Sequence, residues 1–212
     1  MVSNDVAALE VGGRCEALLL TAKARVIAPL VVVRRRADDF LLLTEPELGE
    51  RVRNELTRFR FAAKVDIEPE EHESWLVVGG EEALDERPPG EEMDESELER
   101  WRVESGIPRW GREIDDTILP AEAGLTETHV SFTKGCYPGQ EPIARLHHRG
   151  KVNRRLRVLE AESAEPGAEI VWNEKVVGRV TSAVPGSALG YVRVEVPEDA
   201  MLRIDGDEAR LH

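Results

Sequence analysis

The sequence predicts an α+β protein that ends in a small antiparallel β-barrel, and three observations lead to this prediction. Short runs rich in valine, isoleucine and leucine alternate with polar breaks over the first 80 residues and flank one helical pattern. An acidic stretch with a Pro-Pro-Gly turn and no apolar period follows. Short strand-like runs broken by Gly and Pro then continue to the end, as in small barrels. We therefore expect an α+β region over residues 1–150 and a barrel-like domain over residues 151–212.

The α+β region is predicted from five strand-like runs and one amphipathic helix. The runs are Ala17–Leu20, Arg25–Val33, Phe40–Leu43, Ala63–Ile67 and Trp75–Val78. Thr44-Glu45-Pro46-Glu47 has the pattern of a capping box with Thr44 as N-cap, which predicts that a helix starts there. Four apolar residues follow at helical spacing and form one face: Leu48, Val52, Leu56 and Phe59.

Two further helices and five barrel strands are predicted downstream. A short helix is expected over Ser96–Glu104. Another is expected over Gln140–His148, with Pro142 in its first turn and Gly150 just past its end. The predicted barrel strands are Leu156–Leu159, Glu169–Trp172, Val176–Val184, Ala188–Val196 and Met201–Ile204. Gly79–Asp94 is expected to be a solvated loop, and Arg109–Ala123 to consist of turns.

Composition excludes several classes of protein. With 41% hydrophobic and 33% charged residues, the chain has the composition of a soluble globular protein. Its longest apolar run, Val26–Val33, is far shorter than the roughly 20 residues of a membrane-spanning helix. The N-terminus lacks the pattern of a secretory signal. Cys15 and Cys136 are the two cysteines, too few for a disulfide framework, so we expect reduced thiols and a cytoplasmic location.

The net charge of −14 is unevenly distributed. Asp66–Glu99 contains 15 acidic residues and one basic residue, whereas Lys134–Arg157 contains seven basic residues and one acidic residue. A basic strip can neutralise nucleic-acid phosphates, but no aromatic residues are interleaved at Lys151–Arg157 for base stacking. Nucleic acid is therefore disfavoured, and we expect this strip to face the chain's own acidic segment.

The residues with the richest chemistry form the signature segment, Lys134–Glu141, which reads Lys-Gly-Cys-Tyr-Pro-Gly-Gln-Glu. Gly135, Pro138 and Gly139 predict a tight turn ahead of the helix. Cys136 would then lie near a helix N-terminus and a lysine, both of which favour a reactive thiolate. Two interpretations remain open: a reactive or ligand-contacting cysteine, and a small residue buried in a turn.

The signature segment resembles that of the YgfZ family, folate-binding proteins that maintain iron–sulfur enzymes and are related to the aminomethyltransferase (T-protein) of glycine cleavage. Other segments extend the resemblance: Arg102–Gly106, Trp110–Glu113, Pro120–Ala123, Ala144–Gly150 and Leu18–Val33. The resemblance implies a T-protein-like folate-binding fold, with a ferredoxin-like α+β body and the C-terminal barrel. It also implies tetrahydrofolate or a derivative as ligand, and iron–sulfur client or assembly proteins as partners.

The resemblance also implies roles for five residues. Glu104 matches the carboxylate that holds the pterin ring in that family. This role is chemically reasonable, because a carboxylate accepts two N–H bonds from an aminopyrimidinone edge. Lys134 and Arg145 would meet the anionic glutamate tail. Cys136 matches the cysteine of the iron–sulfur branch, and Tyr137 would stack on the pterin or pack in the core. We expect no resident metal, since two cysteines are too few for a cluster and Cys136 with His147 or His148 is too few ligands for zinc.

Two departures from the family pattern bear on activity. Ala28 and Pro29 occupy positions that correspond to an acidic pair in the T-protein, and neither side chain can accept a proton. We therefore favour a folate-binding protein without aminomethyl transfer. A folate-dependent one-carbon transferase, and a thiol enzyme using Cys136 with a nearby histidine, remain the alternatives. The chain also begins with a segment that family members reach only after an opening strand and helix, so we expect a pocket that is N-terminally short.

Overall fold

A computed structural model describes residues 1–60, 64–79 and 82–212. Its N-terminal part contains an antiparallel sheet of β1 (Arg14–Leu20), β2 (Val26–Arg36) and β3 (Asp39–Leu43), with β2 in the centre. Side chains alternate between the two faces of β1. Ala17 and Leu19 pack in the buried cluster that includes the helical residues Val52 and Leu56. Leu18 and Leu20 lie on the other face and pack in the cluster that includes Tyr191 of the C-terminal domain. The first three predicted strands are therefore confirmed, each somewhat longer than expected.

The helix after this sheet begins later than its sequence pattern predicts. A 3₁₀ turn at Pro46–Leu48 leads into α1 (Gly49–Arg58). The prediction of a capping box at Thr44 was wrong, because the Thr44 hydroxyl donates to the carbonyl oxygen of Pro29 at 2.9 Å and caps no helix. The predicted apolar face is largely correct. Leu48, Val52 and Leu56 are buried against the sheet, while Phe59 is exposed.

The acidic segment is held to the sheet by ion pairs. It contains a two-strand ribbon of β4 (Ser74–Trp75) and β5 (Ala83–Leu84). Arg35 of β2 donates to both carboxylate oxygens of Glu70, and His72 lies between Glu70 and Asp85. The predicted strand at Ala63–Ile67 falls partly outside the described residues, and the described residues 64–67 form no strand. The run predicted at Trp75–Val78 shortens to β4.

Three helices follow the acidic segment. In α2 (Glu95–Glu104) the Asp94 side chain accepts from the backbone N–H of Glu97, and the Glu97 side chain accepts from that of Asp94, which is a true capping box. The short α3 (Thr126–His129) and α4 (Gln140–Arg149) flank the signature segment. No helix among the described residues is long and apolar enough to cross a membrane.

The C-terminal domain is a closed antiparallel barrel of six strands. They are β6 (Arg154–Ala161), β7 (Glu169–Trp172), β8 (Lys175–Val184), β9 (Gly186–Arg193), β10 (Leu202–Ile204) and β11 (Asp207–Leu211). Around the barrel their order is β10, β11, β6, β9, β8 and β7. Leu159, Ile170, Leu189, Leu202 and Ile204 fill the interior and are almost fully buried. The predicted barrel is confirmed, with β11 as an additional strand that closes it.

A buried ion pair docks the barrel on the α+β body. Arg102 of α2 donates to the Glu113 carboxylate at 2.9 Å and to the Ser182 hydroxyl of β8 at 2.7 Å. Ser182 in turn donates to Glu113 at 2.6 Å, and the Glu113 side chain is fully buried. The hydroxyl of Tyr191, on β9, donates to the backbone carbonyl of Glu113 at 2.8 Å. Burial raises the pKa of Tyr191 well above its ordinary value, so the phenol keeps its donor proton.

A second carboxylate, Glu122, supports the same interface. Its side chain accepts from Nε of Arg154 at 3.2 Å, and its backbone carbonyl accepts from the N–H of Leu156 at 2.8 Å. Arg157 pairs instead with Glu198 of the barrel. The expectation that the basic strip faces the acidic segment was therefore wrong for these two arginines, because nearer carboxylates neutralise them.

Replacing Arg102 by Met should lower the free energy of unfolding by about 3–5 kcal/mol, since the change leaves the buried Glu113 charge without its partner. Arg58→Met is the control, because Arg58 is exposed at the end of α1 and pairs with Glu55 of the same helix, and it should cost less than about 1 kcal/mol. Urea unfolding followed by circular dichroism measures both. Equal losses in the two variants would show that the ion pair does not dock the barrel.

Candidate functional site

The signature segment packs directly against the turn between β1 and β2. Gly139 has φ of 83° and precedes α4, a backbone conformation that favours glycine. A Cβ atom added there would lie 2.7 Å from the carbonyl oxygen of Thr21 and 3.0 Å from the Cα atom of Ala24. The close approach of two backbones therefore requires glycine at this position.

Lys134 links the signature segment to the N-terminal segment, Val2–Asn4. Its ammonium donates to the carbonyl oxygens of Val2 and Asn4, both at 2.8 Å. Burial lowers the pKa of this ammonium from its ordinary value. Because a lysine ammonium has three donors, two are used within the chain and one remains for another acceptor.

The N-terminal segment is a structural element that the sequence pattern alone did not single out. Ser3 is fully buried; its hydroxyl donates to the carbonyl of His129 at 2.6 Å and accepts from the N–H of Leu18 at 2.7 Å. Its backbone also bonds to Leu18 and Ser131. The segment thus joins β1 to the loop that carries Lys134. The sole signal for it was the family resemblance of the opening residues.

Tyr137 lies under Lys134 with an unsatisfied hydroxyl. The tyrosine is 7% exposed, its ring centroid lies 5.5 Å from the lysine ammonium, and burial raises the pKa of its phenol. The hydroxyl oxygen is buried and has no hydrogen-bond partner among the residues that the structure describes. A buried polar group without a partner costs roughly 1–3 kcal/mol, so this hydroxyl marks a place where a ligand atom or a water would be stabilising.

The two cysteines differ in environment. Cys136 is exposed on the signature segment, which excludes the interpretation of a small residue buried in a turn. Cys15 is half-buried on β1 and packs against the buried cluster between the three-stranded sheet and α1. Burial raises the pKa of the Cys15 thiol, and this effect outweighs the opposing influence of Lys134.

Glu104 and Arg145, the other two residues expected in the site, lie on helix surfaces. Glu104 is the last residue of α2, and its half-exposed carboxylate is 3.4 Å from Arg100. Arg145 pairs with Glu141 on the exposed face of α4. The structure thus brings Lys134 and Tyr137 together. Within the described residues, no hydrogen bond or ion pair joins Glu104, Cys136 or Arg145 to that pair.

Comparisons with known proteins found a family model for the C-terminal part of the chain and several curated relatives. A family model described as the CAF17 C-terminal β-barrel domain matches residues 153–212. The mitochondrial iron–sulfur cluster assembly factor IBA57 of Mus musculus is 36% identical over 130 residues, which cover 59% of this chain and 35% of the mouse protein. The tRNA-modifying protein YgfZ of Edwardsiella ictaluri is 45% identical over 64 residues, 30% of this chain and 19% of that protein.

A solved structure shows the fold. The crystal structure of glycine cleavage system aminomethyltransferase T from Bartonella henselae superposes with a TM-score of 0.75 at 17% identity, covering 100% of this chain and 78% of that chain. The predicted T-protein-like α+β fold with a C-terminal barrel is therefore confirmed, as is the resemblance to the YgfZ and T-protein group. The chain spans less than half the length of the curated relatives it matches.

Lys134→Met should destabilise the fold by roughly 1–3 kcal/mol and loosen the N-terminal segment, because two carbonyls lose a charged donor. Hydrogen exchange at the amides of Leu18 and Ser131, both bonded to Ser3, should become faster. Lys175→Met is the matched control, since Lys175 is exposed at the start of β8. Unchanged exchange at both amides in the Lys134 variant would contradict the assigned role.

Alkylation at neutral pH should label Cys136 faster than Cys15, because Cys136 is exposed while burial raises the pKa of the Cys15 thiol. Peptide mapping after a time course with iodoacetamide measures the two rates, and the single variants Cys15→Ser and Cys136→Ser confirm which signal belongs to which thiol. Equal rates would place both thiols in equivalent environments and remove Cys136 from consideration as the reactive one.

Proposed function

We propose that this chain, as a relative of the YgfZ and T-protein group, binds tetrahydrofolate or a derivative and supports the assembly or repair of iron–sulfur enzymes in the cytoplasm. The name of IBA57, an iron–sulfur cluster assembly factor, supports the second part of the proposal. The observation that carries the first part is the position of Glu104. Its carboxylate makes a weak, half-exposed ion pair with Arg100 and lies at the end of α2, a helix that buried contacts hold in place.

The rigidity of Glu104 comes from its neighbours. Two residues before it, Arg102 is buried and bound to Glu99, Glu113 and Ser182. Two residues after it, Gly106 has φ of 69° and packs so closely on β6 that an added Cβ would lie 3.3 Å from Val158. The backbone at Glu104 is thus fixed from both sides, which lowers the entropy lost when its side chain binds a ligand.

The carboxylate itself is available for a pterin. Its ion pair with Arg100 is 3.4 Å long and half-exposed, and such pairs contribute about 0–1 kcal/mol. Exchanging that contact for two parallel N–H bonds from an aminopyrimidinone edge would be favourable. The two acceptor oxygens of Glu104 therefore fit the N–H donors on the polar edge of a folate.

The remaining site residues fit folate in part. Lys134 retains one N–H, and the Tyr137 hydroxyl lacks a partner, so both have capacity for a ligand atom. Arg145 is free to exchange its exposed pair with Glu141 for a glutamate-tail carboxylate. We propose that four residues surround the folate: Lys134, Cys136, Tyr137 and Arg145. Lys134 would hold the N-terminal segment and use its remaining N–H for the ligand.

Aminomethyl transfer is the weaker candidate function. Ala28 is fully buried in β2, and Pro29 stands beside it, so neither position offers a side-chain oxygen. General acid–base catalysis requires a titratable group within hydrogen-bond reach of the reacting atom. The proposed role is therefore folate binding in support of iron–sulfur enzymes.

Tetrahydrofolate should bind the chain, and Glu104→Ala should weaken binding by about 5- to 150-fold, which corresponds to roughly 1–3 kcal/mol for an unpaired pterin edge. Isothermal titration measures both affinities. Glu162→Ala is the control, because Glu162 is exposed on the barrel, and its affinity should equal that of the unmodified chain. Equal affinities for all three proteins would remove Glu104 from the site.

Tetrahydrofolate should also slow alkylation of Cys136 if that thiol lines the site.

The cellular role has its own test. Cells lacking the gene for this chain should lose activity of iron–sulfur enzymes such as aconitase while retaining normal amounts of the enzyme proteins. Re-expression of the unmodified chain or of Glu162→Ala should restore activity, and Glu104→Ala should restore it poorly. Full restoration by Glu104→Ala, in a variant shown to have lost folate binding, would separate the iron–sulfur role from folate.

A further inference from the structure

A cleft between the α+β body and the barrel carries an unusual concentration of arginine. It has a volume of about 420 Å³ and is lined by Arg112, Arg154, Arg179, Arg193, Thr117 and Thr181, among others. We call it the arginine cleft. Its volume lies within the range of roughly 300–1,000 Å³ that is typical of small-molecule sites.

Arg154 is held rigidly in this cleft. Its Nε donates to the carboxylate of Glu122, which is nine-tenths buried, and its guanidinium stacks 4.7 Å above the ring centroid of Tyr191. Tyr191 is fixed in turn by its bond to the backbone of Glu113. The terminal NH₂ groups of Arg154 have no hydrogen-bond partner among the described residues, so a positioned guanidinium presents free donors to the cleft.

Two of the other arginines lie close by on adjacent strands. Arg193 of β9 is directly opposite Arg154 of β6, and Arg179 of β8 is directly opposite Tyr191. Like charges that face each other across neighbouring strands are destabilising, and within the described ranges the ion pair that offsets this for Arg193 is a 3.9 Å contact with Glu195. The guanidinium of Arg112 makes no ion pair within the part of the chain that the structure describes.

The acidic groups at the cleft are already engaged. The Glu113 carboxylate is fully buried and bound by Arg102 and Ser182, and Asp115 accepts from the backbone N–H and the hydroxyl of Thr117. Arg179 is paired with Glu169 at 3.5 Å and donates to the carbonyl oxygen of Gly167 at 2.7 Å. Among the described residues, Arg112, Arg154 and Arg193 therefore keep donors for a ligand, against the single negative charge of Asp115 in the cleft. This positive site lies on a chain whose net charge is −14. Such a local excess of positive charge is complementary to an anion with two or more charges.

We infer that the arginine cleft binds a small molecule carrying a diphosphate group. Guanidinium forks match pairs of phosphate oxygens, and two adjacent phosphoryl groups would bridge Arg154 and Arg193 while Arg112 neutralises part of the remaining charge. A nucleic-acid ligand is disfavoured, because the Tyr191 ring is 6% exposed beneath Arg154 and offers no surface for base stacking. The inference is independent of folate binding.

Titration with inorganic pyrophosphate at fixed ionic strength tests the site. Pyrophosphate should bind at least tenfold more tightly than inorganic phosphate or sulfate. The double variant Arg112→Ala/Arg193→Ala should weaken pyrophosphate binding at least tenfold. Both of these arginines are exposed and outside the buried docking contacts, so circular dichroism should show an intact fold. Arg210→Ala, an exposed arginine on β11, is the matched control and should bind normally.

Three results would overturn the inference. Equal affinity for pyrophosphate in the double variant and in Arg210→Ala would show that binding is not at the cleft. Equal affinity for pyrophosphate and sulfate would show general attraction of anions. Tighter binding of a single-stranded RNA oligonucleotide than of pyrophosphate, abolished by the same double variant, would make the cleft a nucleic-acid surface instead. The Arg193→Lys variant keeps the positive charge but loses the paired N–H donors of the guanidinium. It should therefore bind pyrophosphate with an affinity between those of the unmodified chain and the double variant.

Discussion

The buried ion pair between Arg102 and Glu113 is the interaction on which the rest of the structure depends. It joins α2, the loop after α2 and barrel strand β8, and the Glu113 backbone also receives the hydroxyl of Tyr191 from β9. Two charges removed from water are stable there because every oxygen of the carboxylate has a donor. The orientation of the barrel on the body follows from this set of contacts. So do the position of Glu104 at the end of α2 and the wall of the arginine cleft.

The signature segment contributes more to architecture than its sequence suggests. Gly139 permits the backbone to touch the β1–β2 turn, Tyr137 enters the core shared by body and barrel, and Lys134 holds the N-terminal segment. Cys136 is the exception, since its side chain is exposed. A stretch dense in polar and reactive residues therefore divides into members that position the backbone and members that are available to a ligand.

Sequence patterns predicted the elements whose causes are local. Short apolar runs between polar breaks identified the sheet, and Gly and Pro breaks identified five barrel strands. The sixth, β11, was missed because Asp-Glu-Ala-Arg-Leu buries Ala209 alone and is a strand through its pairing with β6 and β10. The stretch Arg109–Ala123 consists largely of turns, as predicted, but local pattern did not show that Ile114 and Ile118 are core residues, because they pack on residues distant in sequence such as Tyr191. Glu113 could not be recognised as buried, because its partner Ser182 lies 69 residues away in sequence.

We propose that a pterin binds at Glu104, the carboxylate that this docked architecture holds in place. A crystal structure of the chain with tetrahydrofolate tests it most directly. The predicted result is a pterin edge within hydrogen-bond distance of both Glu104 oxygens, with the Arg102–Glu113 pair intact. A bound folate with its pterin ring away from Glu104, and Glu104 still paired with Arg100, would contradict the claim.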